Sequence, residues 1–92
     1  MNASILVVED DPSLRRIMQL RMDHNGFKVH CADSGEAGLA ALDREPFDLV
    51  LTDLMLPGLS GIDVLKHIKT QFPATTVIVL TAFGTVRPRW RR

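Results

Sequence analysis

One cysteine, Cys31, is all that this chain of 92 residues contains. An internal disulfide is therefore excluded, and the usage fits a reducing compartment. Long apolar runs are lacking too. The longest, such as Ile5 to Val8 and Val77 to Leu80, are strand-sized, so neither a membrane span nor a secretory leader is expected and a cytoplasmic location is. Linkers, low-complexity tracts and internal repeats are absent, which leaves one domain of a size that buries a core with little to spare. The three histidines, His24, His30 and His67, lack metal-ligand spacing and are expected to be solvated. At 46% hydrophobic and 24% charged, the composition argues for a globular chain rather than a disordered one.

Net charge is also lacking, but the formal zero hides a split. The last six residues, Arg87 to Arg92, hold four of the eleven basic residues, leaving seven against eleven acids in the body. Four of those acids are Glu9, Asp10, Asp11 and Asp53.

Four apolar runs recur along the chain: SILVV (4–8), FKVHC (27–31), DLVLT (48–52) and TVIVL (76–80). The first, third and fourth are nearly continuous, as strands covered on both faces would be. The second alternates, with Phe27, Val29 and Cys31 apolar, and suits an edge strand. Helical spacing separates the runs. Asp11 and Pro12 form an N-cap and first-turn pair, after which Leu14, Ile17, Met18 and Met22 share a face until Asn25 and Gly26 stop the helix. Asp33 followed by Glu36 reads as a capping-box start for a second helix reaching about Arg44. A third helix carries Ile62, Leu65 and Ile68.

Strand–helix–strand alternation at this spacing predicts right-handed crossovers and a parallel sheet flanked by helices. Parallel strands gather whatever follows them at one edge. Here that edge receives Glu9, Asp10 and Asp11, then Asp53, then Thr81, and open α/β sheets bind ligands at this carboxyl edge. Carboxylates crowded in a crevice raise one another's pKa values unless a cation sits among them. An oxygen-only set without His or Cys suits Mg²⁺ rather than zinc. Asp53 is then placed to act as a nucleophile toward phosphorus, forming an acyl phosphate, with the Thr81 hydroxyl donating to a phosphoryl oxygen. A lone Asp after a strand is usually a turn or cap residue, and Asp11 reads as one. The constellation, not any single acid, argues for chemistry.

The segments ILVVEDDPSLRRI, FDLVLTDLMLPGLSGIDVL and VIVLTAFGTV, in this order and spacing, resemble the receiver domain of two-component response regulators over essentially all of residues 3–86. The closest flavour is that of receivers attached to transcription activators. The resemblance implies a flavodoxin-like doubly wound α/β sheet of strand order 2-1-3-4-5. It implies that Asp53 is phosphorylated by a histidine kinase and that Mg²⁺ is bound by Asp10 directly, by Glu9 through water and by the backbone carbonyl of Met55. Asp53 would join that metal set, Thr81 would be the switch hydroxyl, and Pro57 and Gly58 would shape the loop below. Such a module is a signalling element rather than an enzyme. A metal-dependent phosphatase of the haloacid-dehalogenase type would carry Asp-x-Asp, and Met55 occupies the second position.

The family continues with a fourth helix, a fifth strand ending in Lys-Pro and a fifth helix, which this sequence does not supply. Lys66 and Lys69, on the third helix, are not substitutes for that lysine. The expected layout is a truncated receiver at 1–86 and a non-family basic tail at 87–92. The rival reading is a non-signalling remnant, or an interaction module that needs a partner to fold. An open fourth strand without charge invites self-association, whereas direct nucleic-acid binding by the tail is not expected. The tail is expected to be a reading-frame accident instead, either a real mutation that leaves a remnant or a sequencing error that hides a full regulator. In the receivers this chain resembles, Gly-Thr-Val is commonly followed by Glu-Thr-Ala-Val-Glu-Ala-Met. Written in GC-rich codons with the first G deleted, that stretch reads AGA CCG CGG TGG AGG CGA TGA, which is Arg-Pro-Arg-Trp-Arg-Arg-stop and matches Arg87 to Arg92. Resequencing the gene is expected to reveal a Lys-Pro strand and a final helix in the other frame; their absence there would remove the frameshift.

Overall fold

The computed structural model describes residues 3–80. Among them the chain alternates strictly between strand and helix: β1 (Ser4–Val8), α1 (Pro12–His24), β2 (Lys28–Ala32), α2 (Gly35–Arg44), β3 (Leu49–Asp53), α3 (Gly61–Gln71) and β4 (Thr76–Leu80). All strand pairs are parallel, in the order β2-β1-β3-β4. This is the flavodoxin-like arrangement, with β2 at the edge that its alternating sequence predicts. Thr81, the tail and the 86/87 boundary lie outside the described residues.

Side-chain parity along the strands sorts the core into two layers. Leu6, Val8 and Val50 point to one face and meet Ala41 and Leu42 of α2 and Val64 and Ile68 of α3. Ile5, Val7 and Leu51 point to the other and meet Met18 and Met22 of α1. Leu6, Val7 and Val50 have no exposed surface, and removing a side chain as large as Leu6 from such a site costs about 2–5 kcal/mol.

Several local expectations are corrected. The cap of α2 is Ser34, whose hydroxyl accepts from the Ala37 N–H at 3.1 Å, and not Asp33. The first helical residue, Gly35, lies so close to Leu59 and Val64 that a β-carbon there would crowd them. A capping box does exist, but on α3, where Ser60 and Asp63 serve each other's backbone N–H groups. On α3 the buried positions are Val64 and Ile68, while Ile62 is exposed. On α1 only part of the predicted stripe is used. Met18 and Met22 reach the core, but Leu14, Ile17 and Leu20 remain exposed because the helix packs against β1 and β2 with a narrower strip than its apolar face. Nor is β4 covered on both faces, since Ile78 is 46% exposed.

Two glycines shape the turn between β3 and α3. Gly58 takes φ +73°, a left-handed conformation that side chains disfavour. Gly61 is required by contact: a β-carbon there would strike the Asp53 carbonyl and approach Leu54 Cα at 2.8 Å. The absent side chain lets α3 start directly against the tip of β3. Gly61→Ala is therefore expected to destabilise the fold by about 1–3 kcal/mol through overpacking against backbone. The midpoint of urea unfolding measures this, and an unchanged midpoint would mean that α3 can slide away at no cost.

Candidate functional site

Strand register builds the site. Val8 of β1 pairs with Thr52 of β3, so the next residues, Glu9 and Asp53, leave the sheet side by side. Parity then sends both side chains toward the face carrying Ile5, Val7 and Leu51. Order in the sheet adds the second ingredient. The connection from β1 runs outward to β2 while that from β3 runs the other way to β4, so a crevice opens between the carboxyl ends of β1 and β3. Asp10 follows Glu9 into it. Carboxylate oxygens of Glu9, Asp10 and Asp53 lie within 4.8 Å of one another.

Each member is held differently. Glu9 is buried, at 2% exposure. Its N–H donates to the Ala32 carbonyl of β2 at 3.0 Å, its Oε2 accepts from the Asp11 N–H at 3.0 Å, and its carbonyl accepts from Arg15 Nη1 at 3.0 Å. Asp53 is half-buried, and its Oδ1 accepts from the Met55 N–H at 3.1 Å. Beneath it the Leu54 N–H donates to the Leu80 carbonyl of β4 at 2.8 Å and Leu56 plugs into the core, so the loop after β3 is anchored at these two points. Asp10 is exposed. Asp11 stands apart, because its Oδ1 caps α1 through the Ser13 N–H at 2.9 Å. Met55 lies in the loop that follows Asp53, with its side chain outward. All three histidines are exposed, His30 leaning on Phe47 and His67 on Phe72. Sequence reasoning passed over Arg15 altogether, since nothing in its spacing signals that its guanidinium turns back to the strand end.

Burial is the main reason that the Glu9 carboxyl is pushed up to about 7, and the charges of Asp53 and Asp10 add to it; the bond from the Asp11 N–H works in the opposite direction. Three oxygen donors at this separation, one of them costly to ionise without a counter-charge, fit a hard divalent cation of the Mg²⁺ type.

The comparisons with known proteins agree with this geometry. Residues 5–89 match the family model described as the response regulator receiver domain. This chain belongs to that family, whose members are regulatory modules of two-component signalling. Among its relatives, the transcriptional activator protein PfeR of Pseudomonas aeruginosa is 42% identical over 85 residues, covering 92% of this chain and 28% of PfeR. The transcriptional regulatory protein GlrR of Escherichia coli is 39% identical over 84 residues, covering 91% of this chain and 19% of GlrR. The chain thus spans less than a third of the length of either regulator. Among solved structures, the response regulator TrrA of Thermotoga maritima, crystallised in complex with Mg²⁺-BeF, superposes with a TM-score of 0.85 at 32% identity, over 95% of this chain and 75% of that one. A receiver domain protein from Clostridium thermocellum gives 0.82 at 34% identity, over 86% and 64%. No helix among the described residues is long and apolar enough to cross a membrane.

The raised Glu9 carboxyl has a consequence for stability. Between about pH 4.5 and 7 the unfolded chain has released the Glu9 proton while the folded chain still holds it. The unfolded state binds fewer protons there, so the chelator-treated protein should lose stability as pH rises through that window and level off above it. Glu9→Gln should flatten this part of the profile. Urea unfolding across the window measures both proteins, and parallel profiles would show that Glu9 ionises freely in the fold.

Proposed function

We propose that this chain is a phosphoacceptor module in which Asp53 takes a phosphoryl group from the phosphohistidine of a histidine kinase. The carboxylate attacks phosphorus in line as the P–N bond breaks, and the departing imidazole recovers a proton from solvent. Glu9, Asp10 and Asp53 would hold Mg²⁺ together with the Met55 carbonyl. When bound, that ion neutralises the charge that gathers as a dianionic phosphoryl group approaches three acids. Thr81 is assigned the switch hydroxyl in this reading. The observation that carries the proposal is the convergence of Glu9, Asp10 and Asp53 at the crevice between β1 and β3. The Mg²⁺-BeF complex of the similar TrrA supports it.

The residues divide the work. Asp53 supplies the attacking oxygen. The Met55 N–H on Oδ1 restrains the rotation of that carboxylate, and such restraint lowers the entropic cost of reaching an attack geometry. Glu9, held in place through its own backbone and side-chain bonds, supplies negative charge at a fixed point. Association of two copies through β4 belongs to the same proposal, because Ile78 is exposed on a strand without charged residues; sedimentation that stays monomeric at every concentration would remove it.

Treatment with acetyl phosphate and Mg²⁺ should add one phosphoryl mass that maps to Asp53 and disappears in Asp53→Asn. Asp10→Asn should abolish saturable Mg²⁺ binding, followed by NMR, and slow phosphorylation by about 10-fold or more, as loss of a metal site does. Unmodified protein under conditions that phosphorylate a complete receiver would favour the interaction-module reading.

A further inference from the structure

We infer that Arg15 is a positioning residue for the acidic site, an inference that rests on the phosphoacceptor reading. Arg15 stands in the second turn of α1, its own N–H bonded to the Asp11 carbonyl at 2.9 Å. From there the half-buried side chain turns back and Nη1 donates to the Glu9 carbonyl at 3.0 Å. That carbonyl belongs to the peptide joining Glu9 to Asp10. The peptide is the pivot of the site, because its plane fixes the direction in which the Asp10 side chain leaves the chain.

The restraint on this peptide is otherwise one-sided. Glu9 is tied to β2 through its N–H and to Asp11 through Oε2, and both bonds lie before the pivot or within the turn itself. Among the described residues, Arg15 donates the one side-chain bond that reaches the Glu9 carbonyl from a regular element outside the turn. It thereby couples the end of β1 to the body of α1. The bond it makes is to a backbone carbonyl and not to a carboxylate, so the guanidinium works on the turn through geometry. A bond from a charged donor to a peptide carbonyl is stronger than a neutral one, and orienting partners of metal ligands typically change metal affinity by about 10–100-fold when removed.

The neighbouring Arg16 provides the control, being exposed on the same helix. In Arg15→Met the methylene stem is kept and the donor is lost. This variant should bind Mg²⁺ about 10-fold more weakly by calorimetry, and its Asp10 and Asp11 amide resonances should shift and broaden in the chelator-treated protein. Arg15→Lys, which keeps one donor of shorter reach, should recover part of the affinity, while Arg16→Met should match the parent throughout. A purely structural role for Arg15 would lower the unfolding midpoint without changing Mg²⁺ affinity among the folded molecules. Equal affinities for Arg15→Met and the parent, with the parent saturating and Asp10→Asn failing to bind, would overturn the inference alone. Absence of saturable binding in the parent would overturn the phosphoacceptor reading on which it rests.

Discussion

The pairing of β1 with β3 is the constraint from which the rest of this molecule follows. Its register aligns Val8 with Thr52, and that one alignment decides that a glutamate and an aspartate distant in sequence emerge together. A slip of one residue would turn Asp53 or Glu9 to the opposite face of the sheet, because side chains alternate along a strand. The same pairing is the innermost of the sheet, with β2 outside β1 and β4 outside β3. Its residues are accordingly the most deeply buried. Leu6, Val7, Val50 and Thr52 have no exposed surface, and the layers of α1 on one face and α2 with α3 on the other hold them in place.

The burial that stabilises this pairing also makes the acidic edge costly. Glu9 follows four fully buried aliphatic residues and inherits their environment. Its backbone groups are all satisfied, and its carboxylate finds a donor in the Asp11 N–H. Two further acids face it, with no base between them among the described residues. Among those residues, local order is supplied by hydrogen bonds while the acidic charge is left uncompensated, a condition under which a fold gains from a cation. Folding and ligand chemistry pull in opposite directions at this one residue.

Much of this was legible in the sequence, for identifiable reasons. Apolar runs and their spacing gave the strands and their parallel order; β1 and β3 are buried on both faces, as a continuous run suggests, whereas β4 carries such a run without that cover. The acids after β1 and β3 were legible because topology, rather than side-chain detail, brings strand ends together. What escaped was decided by packing. Ser34 caps α2 in place of Asp33, with Gly35 seated against Leu59 and Val64, and no local signal states which of two adjacent cap formers is used. Val64 is buried where Ile62 is not: the face of α3 set on the sheet is the one that begins at Gly61, against the tip of β3. Arg15 escaped for a third reason: its partner is a carbonyl, which every residue has.

The hydrogen bond between the Met55 N–H and Asp53 Oδ1 has a stereochemical meaning. The two oxygens of a free carboxylate are interchangeable, and a half-turn of the side chain exchanges them. Here one oxygen is engaged by the loop that follows it, so the pair is desymmetrised. An event at Oδ1 must share that oxygen with the Met55 N–H, the first link of the chain leading to α3. An event at Oδ2 leaves that link closed. Two atoms of identical chemistry thus stand at the two settings of a mechanical contact: one is wired to the loop, and the other is not.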